Sequence, residues 1–161
     1  MALKFSTLHV DKPWGHEVIW ADTDLYVGKI LHVNAGEALS LQYHREKDET
    51  IYVLSGYVRM EVGPSPEELE AVELRVGDAM RLRPGVVHRM EALEDSDVLE
   101  ASTPHLEDLV RLDDRYGAVT GAEQPDEQIE GSLRPRIGQE PLSVAQLPQA
   151  FAIDTNLVLR G

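Results

Sequence analysis

The sequence predicts an all-β fold, a sandwich or a barrel, on three observations. From residue 25 to 119, short β-rich runs alternate with turn residues, which is the pattern of all-β rather than helical or βαβ architectures. Ser55-Gly56 and Val76-Gly77-Asp78 read as tight turns in which glycine supplies a positive φ or a close backbone approach. The longest apolar runs span only a few residues, far short of a membrane-crossing segment. In chain order the predicted strands are 18–20, 26–33, 39–44, 50–54, 57–62, 71–76, 79–82, 88–92 and 98–102, each flanked by Gly, Pro, Asp, Asn or Ser. Residues 63–69 read as a loop with one helical turn, because Ser65 and Pro66 suit an N-cap and a first helical position. No internal repeat is visible.

A chain of 161 residues fits one domain with a genuine core and a tail left over. The barrel is expected over 1–117. Residues 118–140, rich in Ala, Gly, Gln, Glu and Pro with little apolar periodicity, read as a linker or extended C-terminal arm. Residues 141–161 recover apolar side chains at Leu142, Val144, Leu147, Phe151, Ile153, Leu157, Val158 and Leu159, so this segment is expected to dock on the barrel or on a second subunit.

The formal charge of -14, from 29 acidic against 15 basic residues, repels nucleic acid and anionic lipid over most of the surface. A small anionic ligand stays possible, since a pocket needs only local positive charge within a Debye length of about 10 Å. Cysteine is absent, which removes disulfides, thiolate metal sites and cysteine nucleophiles together. The N-terminus lacks the basic-then-apolar layout of a signal peptide, and a cytoplasmic location is expected.

Gln42 and His44 are two residues apart in a predicted strand, so period-two alternation puts both on one face. Glu49 follows a short polar connection, and His88 follows the turn Arg83-Pro84-Gly85. Curled into a barrel, these strands bring Gln42, His44, Glu49 and His88 together. Imidazole nitrogen, carboxylate oxygen and amide oxygen suit one borderline divalent ion, with Zn²⁺ the first expectation and Mn²⁺, Fe²⁺, Co²⁺ or Ni²⁺ compatible.

The order Gly36, Gln42, His44, Glu49, Gly56 and then Gly77, Pro84, Gly85, His88 resembles both halves of the cupin signature. Glutamine stands where the first histidine is usual, and Ala92 where the second half usually ends in asparagine. Lys12-Pro13-Trp14-Gly15, Leu39-Ser40-Leu41-Gln42-Tyr43-His44, Val53-Leu54-Ser55-Gly56, Pro84-Gly85-Val86-Val87-His88-Arg89 and the closing run Leu109-Val110-Arg111-Leu112-Asp113-Asp114-Arg115-Tyr116-Gly117 resemble the cupin domain of type II mannose-6-phosphate isomerases. The resemblance spans roughly residues 10–117 and implies a cupin double-stranded β-helix, or jelly-roll barrel. It also implies a metal-dependent sugar-phosphate isomerase interconverting mannose 6-phosphate and fructose 6-phosphate. After His44 that family tends to carry further histidines, an arginine, and a His-Trp pair behind the glutamate. This chain has Arg45, Glu46, Lys47 and Asp48, then Thr50-Ile51, so the rim facing the substrate differs.

Aldose–ketose isomerisation needs a cation to stabilise the enediolate oxygens and a base within hydrogen-bond reach. Glu100, on a predicted late strand, is the first candidate base and His105 the second; a hydroxide held by the ion is the third option. The substrate phosphate needs cations, for which Lys29, Arg81 and Arg115 are expected, with Arg83 and Arg89 also available. Alternation sets a condition on Arg81 and Arg83: if Met80 and Leu82 fill the barrel, both arginines face solvent. Two other readings are a non-catalytic cupin binding a sugar or metabolite, and another cupin metalloenzyme such as an iron-dependent oxygenase. A homodimer is expected, because an exposed barrel edge needs covering.

Overall fold

The computed structural model describes Lys4 and residues 6–117. The expectations for 118–140 and 141–161 lie outside the described residues. Within them the chain forms strands and turns only: β1 Leu8–Lys12, β2 Gly15–Asp22, β3 Val27–Val33, β4 Leu41–His44, β5 Glu49–Ser55, β6 Tyr57–Gly63, β7 Glu70–Arg75, β8 Ala79–Leu82, β9 Val87–Ala92, β10 Ser96–Ser102 and β11 Leu109–Asp113. A six-stranded sheet runs β1-β2-β3-β10-β5-β8 and a five-stranded sheet runs β11-β4-β9-β6-β7. All strand pairs are antiparallel. The all-β jelly-roll expectation therefore holds.

Side-chain alternation builds the interior. On β5, Glu49, Ile51 and Val53 are buried while Thr50, Tyr52 and Leu54 face out; on β10, Ser96, Val98, Glu100 and Ser102 are buried. The core draws Leu31, Val33, Ile51, Val53, Leu82 and Val98 from one sheet and Val58, Met60, Leu74, Met90 and Ala92 from the other. This apolar filling occupies part of the space between the sheets. The same inward rows carry Glu49 and Glu100, so the pattern that makes the core also delivers charged groups to the interior.

The turn expectations hold at Gly56 and Gly77, with φ of 84° and 96°. At Gly56 a Cβ would lie 2.3 Å from Ser96 Oγ and 2.4 Å from the Asp95 carbonyl, so only glycine closes that hairpin without displacing its neighbours. Residues 63–69 differ from expectation. They close one turn, Glu68 N–H donating to the Ser65 carbonyl at 3.2 Å, and no helix forms. Strands β1 and β11 extend the predicted set at the edges of the two sheets. On the outer face His9, His16 and His32 stack, with ring centroids 4.5 and 4.8 Å apart, and His32 pairs with Asp97 at 2.8 Å.

Candidate metal centre

Two sheets contribute to one cluster. From the five-stranded sheet, Gln42 and His44 come from β4 and His88 from β9, with Gln42 and His88 in register as cross-strand partners. From the six-stranded sheet comes Glu49, the first residue of β5. The ligating atoms of His44, Glu49 and His88 all lie within 4.8 Å of one another, and all three residues are buried. Among the described residues this is the one such group of three.

Both rings present the nitrogen a cation needs. His44 Nδ1–H donates to the Asp108 carbonyl at 3.2 Å, and His88 Nδ1–H donates to the Val86 carbonyl at 2.9 Å. Each bond fixes its tautomer and leaves Nε2 unprotonated, that of His44 without a partner and that of His88 facing the Gln42 amide. His88 Nε2 lies 3.4 Å from Glu49 Oε1 and His44 Nε2 3.9 Å from Glu49 Oε2. His44 Nε2 is buried without a hydrogen-bond partner, a costly arrangement unless something is bound there. Gln42 Nε2 lies 3.4 Å from His88 Nε2, and Ser40 Oγ lies 2.7 Å from Gln42 Oε1. A hydroxyl both donates and accepts, so the serine supports the amide with either end turned toward His88.

Electrostatics keeps both imidazoles in the neutral form that a cation can bind. Burial, reinforced by the charges of Lys47 and His88, pushes His44 down to about 4. His88 is also lowered, burial and Lys47 outweighing its bond to Val86. Both imidazoles are therefore neutral at physiological pH. Glu49 is pushed up to about 7 by burial and by Glu100, against the pull of Lys47 and Lys29. Near neutral pH it is therefore balanced between its protonated and ionised forms, with Lys47 pairing the ionised one. Imidazole nitrogens, a carboxylate and an amide fit a divalent ion of the Zn²⁺ or Mn²⁺ class.

The cluster opens into a cavity of about 380 Å³, the size of a small-molecule site. Its lining mixes cations (Lys12, Lys29, Lys47, Arg111) with carboxylates (Asp11, Glu17, Glu100, Asp114) and the aromatic side chains of Trp14 and Tyr116. Lys29 is buried, its ammonium 3.4 Å from Glu17 Oε2. Glu100 is buried too, its carboxylate 2.6 Å from Lys47 Nζ. Burial raises the Glu100 pKa, but Lys47 and Lys29 outweigh it and hold the group at about 2. Glu100 is thus an ionised but weak base, below the range that favours proton abstraction near neutral pH.

Three expected site residues lie elsewhere. Arg81 does not line the cavity: Met80 and Leu82 take the inward positions of β8, and Arg81 forms a two-pronged surface pair with Asp48 at 2.9 and 2.6 Å. Arg115 also misses the lining; it pairs with Glu91 at 3.2 Å and donates to the Gly36 carbonyl at 3.3 Å. His105, outside the lining as well, lies 3.5 Å from Glu46 Oε2. Each has an acidic partner that local sequence does not reveal, Asp48, Glu91 and Glu46 respectively, and that partner holds it at the surface.

Two important residues were not singled out. Lys47 sits in a charged connection that reads as solvated rim. Asp108 accepts the backbone N–H groups of Arg45, Glu46 and Lys47 at 3.1, 2.6 and 2.8 Å, pinning the link between β4 and β5, while its own carbonyl orients His44. These bonds outweigh burial and lower its pKa. Asp108→Ala is expected to cost about 2 kcal/mol in urea unfolding and to weaken divalent-ion binding by roughly 10-fold to 100-fold. An unchanged affinity would show that the link holds its shape without Asp108.

Among the described residues, no helix is long and apolar enough to cross a membrane. No curated protein matches the sequence. The family described as the cupin domain matches residues 29–101. KdgF from Halomonas sp. is similar in structure, with a TM-score of 0.54 and 24% identity over 63% of this chain and 89% of that one. A mutant of Bacillus subtilis oxalate decarboxylase OxdC matches at a TM-score of 0.61 and 17% identity, covering 69% of this chain and 32% of that one. A second structure of that enzyme, concerned with its Mn(II) centres, matches at 0.54 and 17%, covering 63% and 29%. The chain thus spans about a third of the length of the oxalate decarboxylases, and at these identities the likeness is one of fold. The match to the cupin domain family over residues 29–101, the paired antiparallel sheets and the fold of these neighbours agree on a jelly-roll barrel similar to cupin domains.

Proposed function

We propose that this chain is a metal-dependent cupin enzyme that isomerises a sugar phosphate, with mannose 6-phosphate and fructose 6-phosphate the first pair to test. One observation carries the reading: two neutral imidazole lone pairs and a buried carboxylate converge within 4.8 Å inside a cavity that also holds buried lysines. Gln42, His44, Glu49 and His88 would hold the ion, which when bound supplies a positive charge for the oxygens of an enediolate. The Mn(II) centres of the Bacillus subtilis oxalate decarboxylase support a divalent ion in such a barrel. The resemblance to type II mannose-6-phosphate isomerases supports the reaction.

The chain's own groups divide the remaining work. Lys29 and Lys12, both in ionic contact with Glu17 at 3.4 and 3.5 Å, form a cationic wall for a phosphate. Trp14 and Leu39 line the cavity and exclude water from part of it. Glu100 is the carboxylate present to accept a carbon-bound proton, and loosening its contact with Lys47 would strengthen it as a base.

In a coupled assay with added Zn²⁺, Mn²⁺, Co²⁺ or Ni²⁺, interconversion of the two hexose phosphates is expected, stopping with chelator and falling at least about 100-fold in His44→Ala. A second reading has its own support. Lys47 Nζ already lies 2.5 Å from Glu49 Oε2, an arrangement that also suits a non-catalytic cupin binding a sugar or metabolite. Ligand-dependent thermal stabilisation without turnover would favour that reading; turnover unchanged in His44→Ala would contradict the metal-dependent one.

A further inference from the structure

Lys47 is unusual among the cavity residues because its ammonium is buried against a metal-ligand candidate. Its side chain is 6% exposed, with Nζ 2.5 Å from Glu49 Oε2 and 2.6 Å from Glu100 Oε1. Its backbone N–H is anchored to Asp108, so the side chain starts from a fixed point. The two oxygens of Glu49 are divided: Oε2 faces Lys47, while Oε1 lies 3.4 Å from His88 Nε2. One carboxylate therefore serves the resident ammonium and the place an ion would occupy.

We propose that Lys47 is a built-in counter-cation of the centre, occupying Glu49 in the ion-free protein and, together with Glu100, setting how tightly a divalent ion is held. The proposal rests on the metal reading above. With Glu49 ionised and both imidazoles neutral, a bound divalent ion leaves one uncompensated positive charge. Lys47 adds another, and Glu100 cancels it. Removing the ammonium leaves two carboxylates facing the ion; removing the Glu100 charge leaves Lys47 to repel it. In a buried site such charges are weakly screened, so the two substitutions have opposite signs. Lys47 is a positioning residue here, acting on the ion through Glu49, and the sign difference separates this role from plain structural support, whose loss weakens binding in both cases.

The test is a competition titration of chelator-stripped full-length protein with Zn²⁺, and separately Mn²⁺, against a chromophoric chelator. Lys47→Met is expected to tighten binding by about 10-fold to 100-fold, the range over which outer partners tune a metal site. Lys47→Gln, which keeps a donor for Glu49 while removing the charge, should tighten it as well and carries the test if the methionine variant does not fold. Glu100→Gln is expected to weaken binding by a similar factor. Equal or weaker binding in the folded Lys47 variants, with wild type still binding one ion, would overturn the role of Lys47 and leave the metal reading intact. No saturable binding in wild type or in any variant would overturn both.

Discussion

His44→Ala and His88→Ala should each abolish tight binding of a divalent ion. Both rings present a neutral Nε2 toward Glu49, at 3.9 and 3.4 Å, and both are fixed through Nδ1 by backbone carbonyls. Losing either removes a nitrogen ligand outright, so the affinity should fall by more than about 100-fold, the upper end of what outer partners alone are worth. The effect is visible in thermal unfolding. An ion present at about 1,000 times its Kd stabilises the folded state by about 4 kcal/mol, which raises Tm by roughly 10 °C or more in a domain of this size. Wild type should show that rise and the two variants should not. In the ion-free state each variant should lose about 1 to 2 kcal/mol, because its Nδ1 hydrogen bond to a buried backbone carbonyl is gone. A comparable rise in wild type and both variants would place the ion elsewhere.

The second large effect is the acid stability of the ion-free protein. Glu100 is buried and held at about 2, against an ordinary 4.5. Its contribution is therefore complete above about 4.5 and is lost as pH falls toward 2, amounting to about 3 kcal/mol. His44, lowered from 6.5 to about 4, works in the same direction at higher pH: the unfolded chain takes up its proton first, so stability falls between about 6.5 and 4. The lowering of His88 adds to this. Glu49 has the opposite sign, because its folded value is raised to about 7; it favours the folded state in acid and loses that contribution as pH rises through 7. From about 6.5 down to 4.5 the gain from Glu49 offsets much of the loss from the histidines. Below 4.5 that offset ends, and urea unfolding in chelator should show a steep loss of several kcal/mol by pH 3. Saturating Zn²⁺ should add stability that grows from pH 5 to 8, as the ion competes with the proton on Glu49. A stability flat from pH 5 to 3 would contradict the buried Lys47–Glu100 pair.

The β architecture was legible because burial follows alternation. On β5 and β10 every second residue points inward, and that regularity can be read from the residues alone. The same rule brought Gln42 and His44 to one face and set Glu49 at the head of the next strand. It fails at the sheet edges. Leu8–Lys12 and Leu109–Asp113 are short strands with few buried residues, so their hydrophobic pattern is weak and pairing with β2 and β4 defines them. It also fails for charges. Arg81 and Arg115 are captured by Asp48 and Glu91, partners distant in the chain, and nothing local distinguishes them from Lys29, which β3 carries inward. Lys47 shows the reverse. Its neighbours Arg45, Glu46 and Asp48 suggest a solvated loop, yet Asp108 folds that loop over the cavity and buries the ammonium.

In the proposed function Gln42, His44, Glu49 and His88 make one centre for one divalent ion. Equilibrium dialysis of chelator-stripped protein against Zn²⁺ or Mn²⁺, followed by elemental analysis, tests it most directly. One ion per chain is expected in wild type and none in a His44→Ala/His88→Ala double variant that remains folded; no bound ion in wild type, or one ion retained in the double variant, would overturn the proposed centre.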